Sequence, residues 1–96
     1  ADFSKSGLDN SQLAGADLTN AKLTEANLFQ VSLREAVLRG ADFSLATVYD
    51  SDLKGADLTG AKFAGADLTS TILTDTIQAG TDFTDAIMPD GRVLPR

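Results

Sequence analysis

Residues 56–70 read ADLTGAKFAGADLTS and contain one five-residue pattern three times. In each pentad the first residue is Ala, the third is Leu or Phe, and the fifth is Gly or Ser. We call the third residue of a pentad its centre. Apolar residues at a spacing of five match neither the 3.6-residue period of a helix nor the two-residue period of a strand. The pattern therefore predicts a repeat fold, in which short extended stretches alternate with corners.

The same period runs through most of the chain. Of the 18 centres from Phe3 to Met88, 17 are large and apolar, and Gln78 is the exception. The fifth residue is Gly, Asn or Asp in 12 of the 18 pentads. These residue types adopt positive φ readily or hydrogen-bond within turns, so they favour a corner at the end of each pentad.

Six pentads begin with Ala, followed by Asp or Asn and then by Leu or Phe. They start with Ala1-Asp2-Phe3, Ala16-Asp17-Leu18, Ala26-Asn27-Leu28, Ala41-Asp42-Phe43, Ala56-Asp57-Leu58 and Ala66-Asp67-Leu68. The chain thereby resembles the pentapeptide-repeat family, whose consensus is A-(D/N)-(L/F)-x-x. The resemblance implies an all-β fold, a right-handed quadrilateral parallel β-helix with four pentads per coil. We expect about 4.5 coils of roughly 20 residues over residues 1–88, and a short C-terminal cap in residues 89–96.

A coil of 20 residues can be checked on the residues themselves. Four of the five Phe residues are multiples of 20 apart, which predicts one core column with rings stacked between coils. This column contains Phe3, Leu23, Phe43, Phe63 and Phe83. The residues just before these centres alternate in charge and should fix the register of neighbouring coils. They are Asp2, Lys22, Asp42, Lys62 and Asp82.

The two ends of the repeat differ. Residues 89–96 contain a Pro-Asp-Gly turn followed by Val93 and Leu94, which predicts a lid folded across the last coil. Residue 1 already lies inside a repeat, so no N-terminal cap is visible. We expect an upstream segment or a partner chain to cover that end, and end-to-end self-association through the uncapped N-terminal coil is one such arrangement.

Composition argues against several classes of function. The chain has a net charge of -6 and contains neither His nor Cys, so the commonest catalytic base, thiol nucleophile and soft metal ligands are missing. Acidic pairs such as Asp50 with Asp52 and Asp82 with Asp85 are interpreted as solvated side chains. We therefore expect no catalytic residues, no cofactor and no metal. An acidic surface disfavours direct contact with nucleic acid, and no apolar run approaches the roughly 18 residues that a membrane span needs.

One side of the predicted solenoid carries candidate binding residues. It consists of the pentads centred on Leu8, Leu28, Val48, Leu68 and Met88, and we call it the acidic side. Its outward residues include Asp9, Asp50, Asp67 and Asp90, together with Phe29 and Tyr49, which are 20 residues apart. Exposed aromatic residues beside acids are typical of a protein-binding surface. The same pair could instead be a cross-strand contact that stiffens two coils. Both interpretations remain open at this stage.

These features favour a non-catalytic structural or protein-interaction module whose partner is unknown. The family is abundant in cyanobacteria and chloroplast lumens, so the resemblance implies the thylakoid lumen or a bacterial cytoplasm or periplasm. The alternative is a DNA mimic that acts on type II topoisomerases such as gyrase, as some family members do. The net charge favours mimicry. The predicted length of about 21 Å argues against it, because one turn of DNA is roughly 34 Å long.

Overall fold

A computed structural model describes residues 2–5 and 7–88 of the chain. Every pentad there contributes one short extended position, its second residue, which forms a parallel bridge with the second residue of a pentad 20 positions away. These bridges run without a gap from Asp2↔Lys22 to Asp67↔Ile87. Within the described residues there is no helix and no strand longer than these single bridge positions. Four pentads therefore complete one coil, as the sequence predicted.

Hydrogen bonds between coils repeat with the pentads. The N–H of a centre donates to the second residue of the pentad one coil on, as from Leu23 to the Asp42 carbonyl at 2.7 Å. The N–H of Asp42 in turn donates back to the Ala21 carbonyl at 2.9 Å. At the corner, the N–H of Gly40 donates to the Thr59 carbonyl at 2.9 Å. The backbone is thus paired from coil to coil even though no pentad forms a long strand.

The corners fall on the fifth residue of each pentad. That residue has a positive φ in every pentad from Lys5 to Asp85. The turn around it is closed by a hydrogen bond such as that from Ala21 N–H to the Leu18 carbonyl, at 2.9 Å. A positive φ at the third residue of such a turn is the mark of type II geometry and favours Gly and Asn. The predicted corner at the fifth residue is therefore confirmed, for example at Gly60 and Gly65, with φ values of +68° and +69°.

First and third residues of the pentads fill the interior. All centres from Leu23 to Leu68 have no exposed surface, and the first residues between them are small and buried. In the predicted phenylalanine column, the rings of Phe43 and Phe63 stack with centroids 4.7 Å apart and planes 4° apart. Phe63 and Phe83 follow at 5.5 Å and 24°. Phe3 and Phe83 are partly buried because they lie in the outermost described coils.

Aspartate at the second position has a structural role. In the pentad centred on Leu58, a carboxylate oxygen of Asp57 accepts hydrogen bonds from both the backbone N–H and the hydroxyl of Thr59, the former at 3.0 Å. The hydrogen bond from the Thr59 hydroxyl lowers the pKa of Asp57 below its ordinary value of 3.8. Backbone N–H groups two residues on are bonded in the same way by Asp2, Asp17, Asp42, Asp52, Asp67 and Asp82. The acidic residue of the repeat therefore closes the turn that follows it.

Charged side chains also connect successive coils. Arg34 Nε lies 3.5 Å from Asp52 Oδ2, and Arg39 Nε lies 3.8 Å from Asp57 Oδ2. Exposed pairs of this kind contribute about 0.2–1 kcal/mol each. In the alternating column the bridges place Asp42 between Lys22 and Lys62. The pKa of Asp42 is lowered mainly by the hydrogen bond from Ser44, and the two lysines lower it further.

These turn-closing carboxylates should make the fold sensitive to acid. Hydrogen bonds from Ser or Thr lower the pKa values of Asp2, Asp17, Asp42 and Asp57. A lowered folded-state pKa stabilises the fold above the unfolded value near 3.8, and this stabilisation is lost as the pH falls through the folded pKa. We therefore expect the melting temperature to drop steeply below about pH 4.

Two variants isolate one of these groups. Asp57→Asn retains an oxygen acceptor for the Thr59 N–H but does not titrate, so its melting temperature should fall less steeply with acid than that of the wild type. Thr59→Val removes the hydroxyl that chiefly lowers the Asp57 pKa, so an NMR titration should show that pKa moving back toward 3.8. An acid profile of Asp57→Asn identical to the wild-type profile would contradict this account.

The last described pentads interrupt the pattern on two sides of the coil. Ile72 and Ile77 occupy second positions and are exposed, and Gln78 is an exposed centre. The predicted cap in residues 89–96 lies outside the described residues, as do Ala1 and Ser6. The boundary between a β-helix in 1–88 and a cap in 89–96 accordingly stays a prediction.

Candidate protein-binding face

Phe29 and Tyr49 form an exposed aromatic pair on the acidic side. Each is the fourth residue of its pentad, the first residue of a corner, so its side chain points away from the interior. Because the two residues are 20 positions apart, they lie one above the other in successive coils. The rings are stacked with centroids 5.5 Å apart and planes 8° apart. Even so, Phe29 remains 37% exposed and Tyr49 39% exposed.

The two turns that carry these rings differ from the other described turns. From Leu8 to Ala86, every other turn is closed by a direct backbone hydrogen bond. In the turn from Leu28 to Val31, the hydroxyl of Ser51 accepts from the Val31 N–H at 3.1 Å and donates to the Leu28 carbonyl. A side-chain oxygen therefore bridges the two backbone groups in place of the direct hydrogen bond between them.

The hydroxyl of Thr71 bridges the corresponding turn one coil further along. Its hydroxyl accepts from the Ser51 N–H at 3.4 Å and donates to the Val48 carbonyl, which bridges the turn that carries Tyr49. Ser51 and Thr71 are 2% and 3% exposed and are the buried polar side chains of the described core. No buried polar side-chain atom in the described part of the chain lacks a hydrogen-bond partner. A short column of hydroxyl groups thus supports the aromatic pair from inside.

Sequence reasoning did not identify Ser51 and Thr71 as supports of the site. A signal was present, because both stand at first positions, where Ala is usual, and they are 20 residues apart. The pattern indicated small inward residues there but did not indicate that their hydroxyls would replace turn hydrogen bonds.

The predicted acidic residues lie in different settings. Asp9 precedes Phe29 by one coil in the same column, and its Oδ1 accepts from the Phe29 N–H at 3.2 Å. Asp50 follows Tyr49 at the corner with a φ of +58°, and its Oδ2 accepts from Gln30 Nε2 at 3.3 Å. Asp67 lies one coil after Thr47, and its Oδ1 accepts from the Thr69 N–H at 3.0 Å. Asp9 and Asp50 therefore border the rings, whereas Asp67 mainly closes its own turn. Asp90 lies outside the described residues.

Charge is distributed unevenly around the coil. The described pentad residues of the acidic side, which are 7–10, 26–30, 46–50, 66–70 and 86–88, include no Lys or Arg. Lys5, Lys22 and Lys62 lie on the side that carries the column from Phe3 to Phe83, whereas Arg34, Arg39 and Lys54 lie on the two remaining sides. The aromatic pair is therefore presented on a surface of negative potential.

Residues 2–5 and 7–88 contain neither a cluster of metal ligands nor a membrane-spanning helix. No group of three or more acidic side chains there is arranged to hold a metal ion. Over the same residues, no helix has the length and hydropathy that a membrane crossing requires.

Coils of four pentads, corners at positive φ and an Ala and Leu or Phe interior define a pentapeptide-repeat solenoid. The family model for pentapeptide repeats matches residues 1–34, 11–48, 21–60 and 51–89. The chain belongs to the pentapeptide-repeat family, whose members form right-handed quadrilateral β-helices. This confirms the resemblance seen in the sequence.

Solved structures of the same family resemble the chain along most of its length. A pentapeptide-repeat protein of the Arabidopsis thaliana thylakoid lumen is 30% identical with a TM-score of 0.62, and the match covers 97% of this chain and 65% of that one. HetL of Nostoc sp. strain PCC 7120, involved in the regulation of heterocyst differentiation, is 30% identical with a TM-score of 0.47, over 98% of this chain and 52% of its own. The plasmid-mediated fluoroquinolone resistance protein QnrB1 is 18% identical with a TM-score of 0.47, over 88% and 54%. The chain thus spans less than two thirds of the length of each. Comparison with curated protein sequences gave no significant match.

Proposed function

We propose that the protein is a non-catalytic structural and protein-interaction module that docks through the face around Phe29 and Tyr49. The observation that carries this proposal is the stacked pair itself, in which each residue stays more than a third exposed on a side whose described residues include no Lys or Arg. Large rigid aromatic side chains give much contact area at a small entropic cost on binding. Asp9 and Asp50 border the rings and supply orientation and salt sensitivity.

The β-helix would serve as the scaffold for this binding face. About 4.5 coils with residues 89–96 as a lid would present the face on a rigid support, because each coil is bonded to its neighbours through the backbone. The likeness to a lumenal Arabidopsis protein supports the thylakoid lumen as the compartment. A bacterial cytoplasm or periplasm is the second setting, in keeping with the Nostoc relative.

The double substitution Phe29→Ser with Tyr49→Ser tests the docking role. Both side chains point outward, so the variant should keep a melting curve close to that of the wild type while it loses a partner recovered with the wild-type protein. Circular dichroism melts and pull-down with an extract of the source organism, read out by the identity of the partner, measure the two effects. The matched control is Arg34→Ser with Lys54→Ser, which changes the same pentad position in the same two coils on the neighbouring side and should retain the partner.

Two results would overturn the proposal. A lowered melting temperature with unchanged binding would mean that the pair only stiffens two coils. Inhibition of DNA gyrase by the purified chain would instead support the DNA-mimic alternative.

A further inference from the structure

We propose that the segment recognised by this face is basic and extended, with an Arg or Lys side chain seated against the aromatic pair. The inference rests on the proposed docking function and adds the chemistry of the partner. It follows from the charge of the acidic side, from the order of residues along one column and from the exposure of the rings.

The negative charge of the acidic side determines which kinds of partner can bind over the aromatic pair. A second copy docked through the same face would bring Asp9 and Asp50 against the same residues, and like charges in contact are unfavourable. An anionic membrane surface and nucleic acid are repelled for the same reason. A basic segment is attracted, and no Lys or Arg of the described acidic side competes for the carboxylates.

The order of residues along the column gives the cation a defined place. The fourth positions of successive coils on this side are Asp9, Phe29, Tyr49 and Thr69. One face of the Phe29 ring lies against Tyr49, so its other face is turned toward the coil that contains Asp9. A guanidinium or ammonium group placed there would contact a ring face and a carboxylate together, which combines a cation–π contact with an ion pair.

Asp50 supplies a second contact for positive charge at the other ring. It lies at the corner directly after Tyr49, two coils beyond Asp9. Two coils correspond to about 10 Å at the spacing of neighbouring strands. An extended segment that runs along the coil axis can span that distance with alternating basic side chains on one face.

The experiment uses a peptide of four Ser-Arg units with blocked ends as the probe. Titrated into the ¹⁵N-labelled protein, it should shift the NMR signals of Phe29, Gln30, Tyr49 and Asp50 in a saturable way. The affinity should fall at least severalfold when the salt is raised from about 0.05 M to about 0.3 M. The same peptide with citrulline in place of arginine keeps the shape and loses the charge, and it should not bind.

Three variants distinguish the contributions to binding of the aromatic rings, of the Asp50 carboxylate and of the net charge of the protein. Phe29→Leu with Tyr49→Leu keeps an apolar surface without ring faces and should weaken binding of the arginine peptide about tenfold. Asp50→Asn should weaken it about threefold. Asp75→Asn is the matched control, because Asp75 is an exposed corner residue with a φ of +61° on another side, and it should leave the affinity unchanged.

Equal binding of the arginine and citrulline peptides, or binding of neither, would overturn the inference. Equal losses from Asp50→Asn and Asp75→Asn would overturn it as well, since they would show a response to net charge alone. If the arginine peptide fails while the double serine variant still loses its natural partner, the docking role stands and the basic chemistry of the partner is wrong. If the double serine variant keeps that partner, the docking role itself fails.

Discussion

Phe43→Ala should lower the free energy of unfolding by about 3–5 kcal/mol, among the largest losses expected from one substitution in this chain. Phe43 has no exposed surface, and its ring stacks on Phe63 at 4.7 Å with Leu23 in the coil before it. Truncation removes the buried ring and leaves a cavity. The coils on either side are held in place by backbone hydrogen bonds, so they cannot move together to fill it. Urea denaturation followed by circular dichroism measures the loss.

Phe83→Ala is the matched comparison within the same column. Phe83 is only partly buried, and its ring meets Phe63 at 5.5 Å with the planes 24° apart. Less buried area is lost on truncation, so the cost should be clearly smaller than at Phe43. Equal losses for the two variants would contradict the stacking order along the column.

Much of this architecture could be predicted from the sequence because one rule acts in every pentad. The centre must be large and buried, and the fifth residue must accept a positive φ, so a single period determines both the core and the corners. Lys22 and Asp42 bridge as the alternating charges predicted, and Phe43 stacks on Phe63 as the 20-residue spacing predicted. Both predictions concern only the position of a residue within the repeat, and that position can be counted directly in the sequence.

The choice of hydrogen-bond partners could not be predicted in this way. Ser51 was expected only to be small and inward, yet its hydroxyl replaces the direct bond in the Leu28–Val31 turn. Asp67 remains a predicted residue of the binding face, and the closure of the turn at Thr69 by its carboxylate was not predicted. Both outcomes depend on separations of a few tenths of an ångström between groups in the folded chain. A periodic pattern places residues on sides and in columns but does not contain those separations.

The acidic character of the chain has a structural origin that bears on function. Seven of its 14 acidic side chains accept a hydrogen bond from the backbone N–H two residues on, namely Asp2, Asp17, Asp42, Asp52, Asp67, Asp82 and Asp57. Turn closure therefore accounts for half of the acidic side chains of this chain. Net charge is therefore weak support for DNA mimicry, whereas the absence of Lys and Arg from the described residues of the acidic side is not explained by turn closure.

Gly60→Val should lower the free energy of unfolding by about 1–3 kcal/mol because of the backbone alone. Gly60 has a φ of +68°, a region that β-branched residues avoid. A Cβ at this position would meet nothing closer than the Gly40 backbone nitrogen at 3.9 Å, so a steric clash of the Cβ is not the cause. The loss should appear as a lower denaturation midpoint with an unchanged slope, since the surface exposed on unfolding stays nearly the same.

Gly7→Val is the matched control for the same substitution. Gly7 is the extended second residue of its pentad, where it bridges to Asn27, and a Cβ there would meet nothing within 4 Å. Valine suits an extended position, so this change should be neutral or slightly stabilising. A neutral Gly60→Val, or a Gly7→Val that costs as much, would show that stability depends on something other than the left-handed corner at the fifth residue. If the two variants differ as expected, the fold requires a positive φ at the fifth residue but no particular side chain there. A corner residue such as Asp50 can then contribute its side chain to binding.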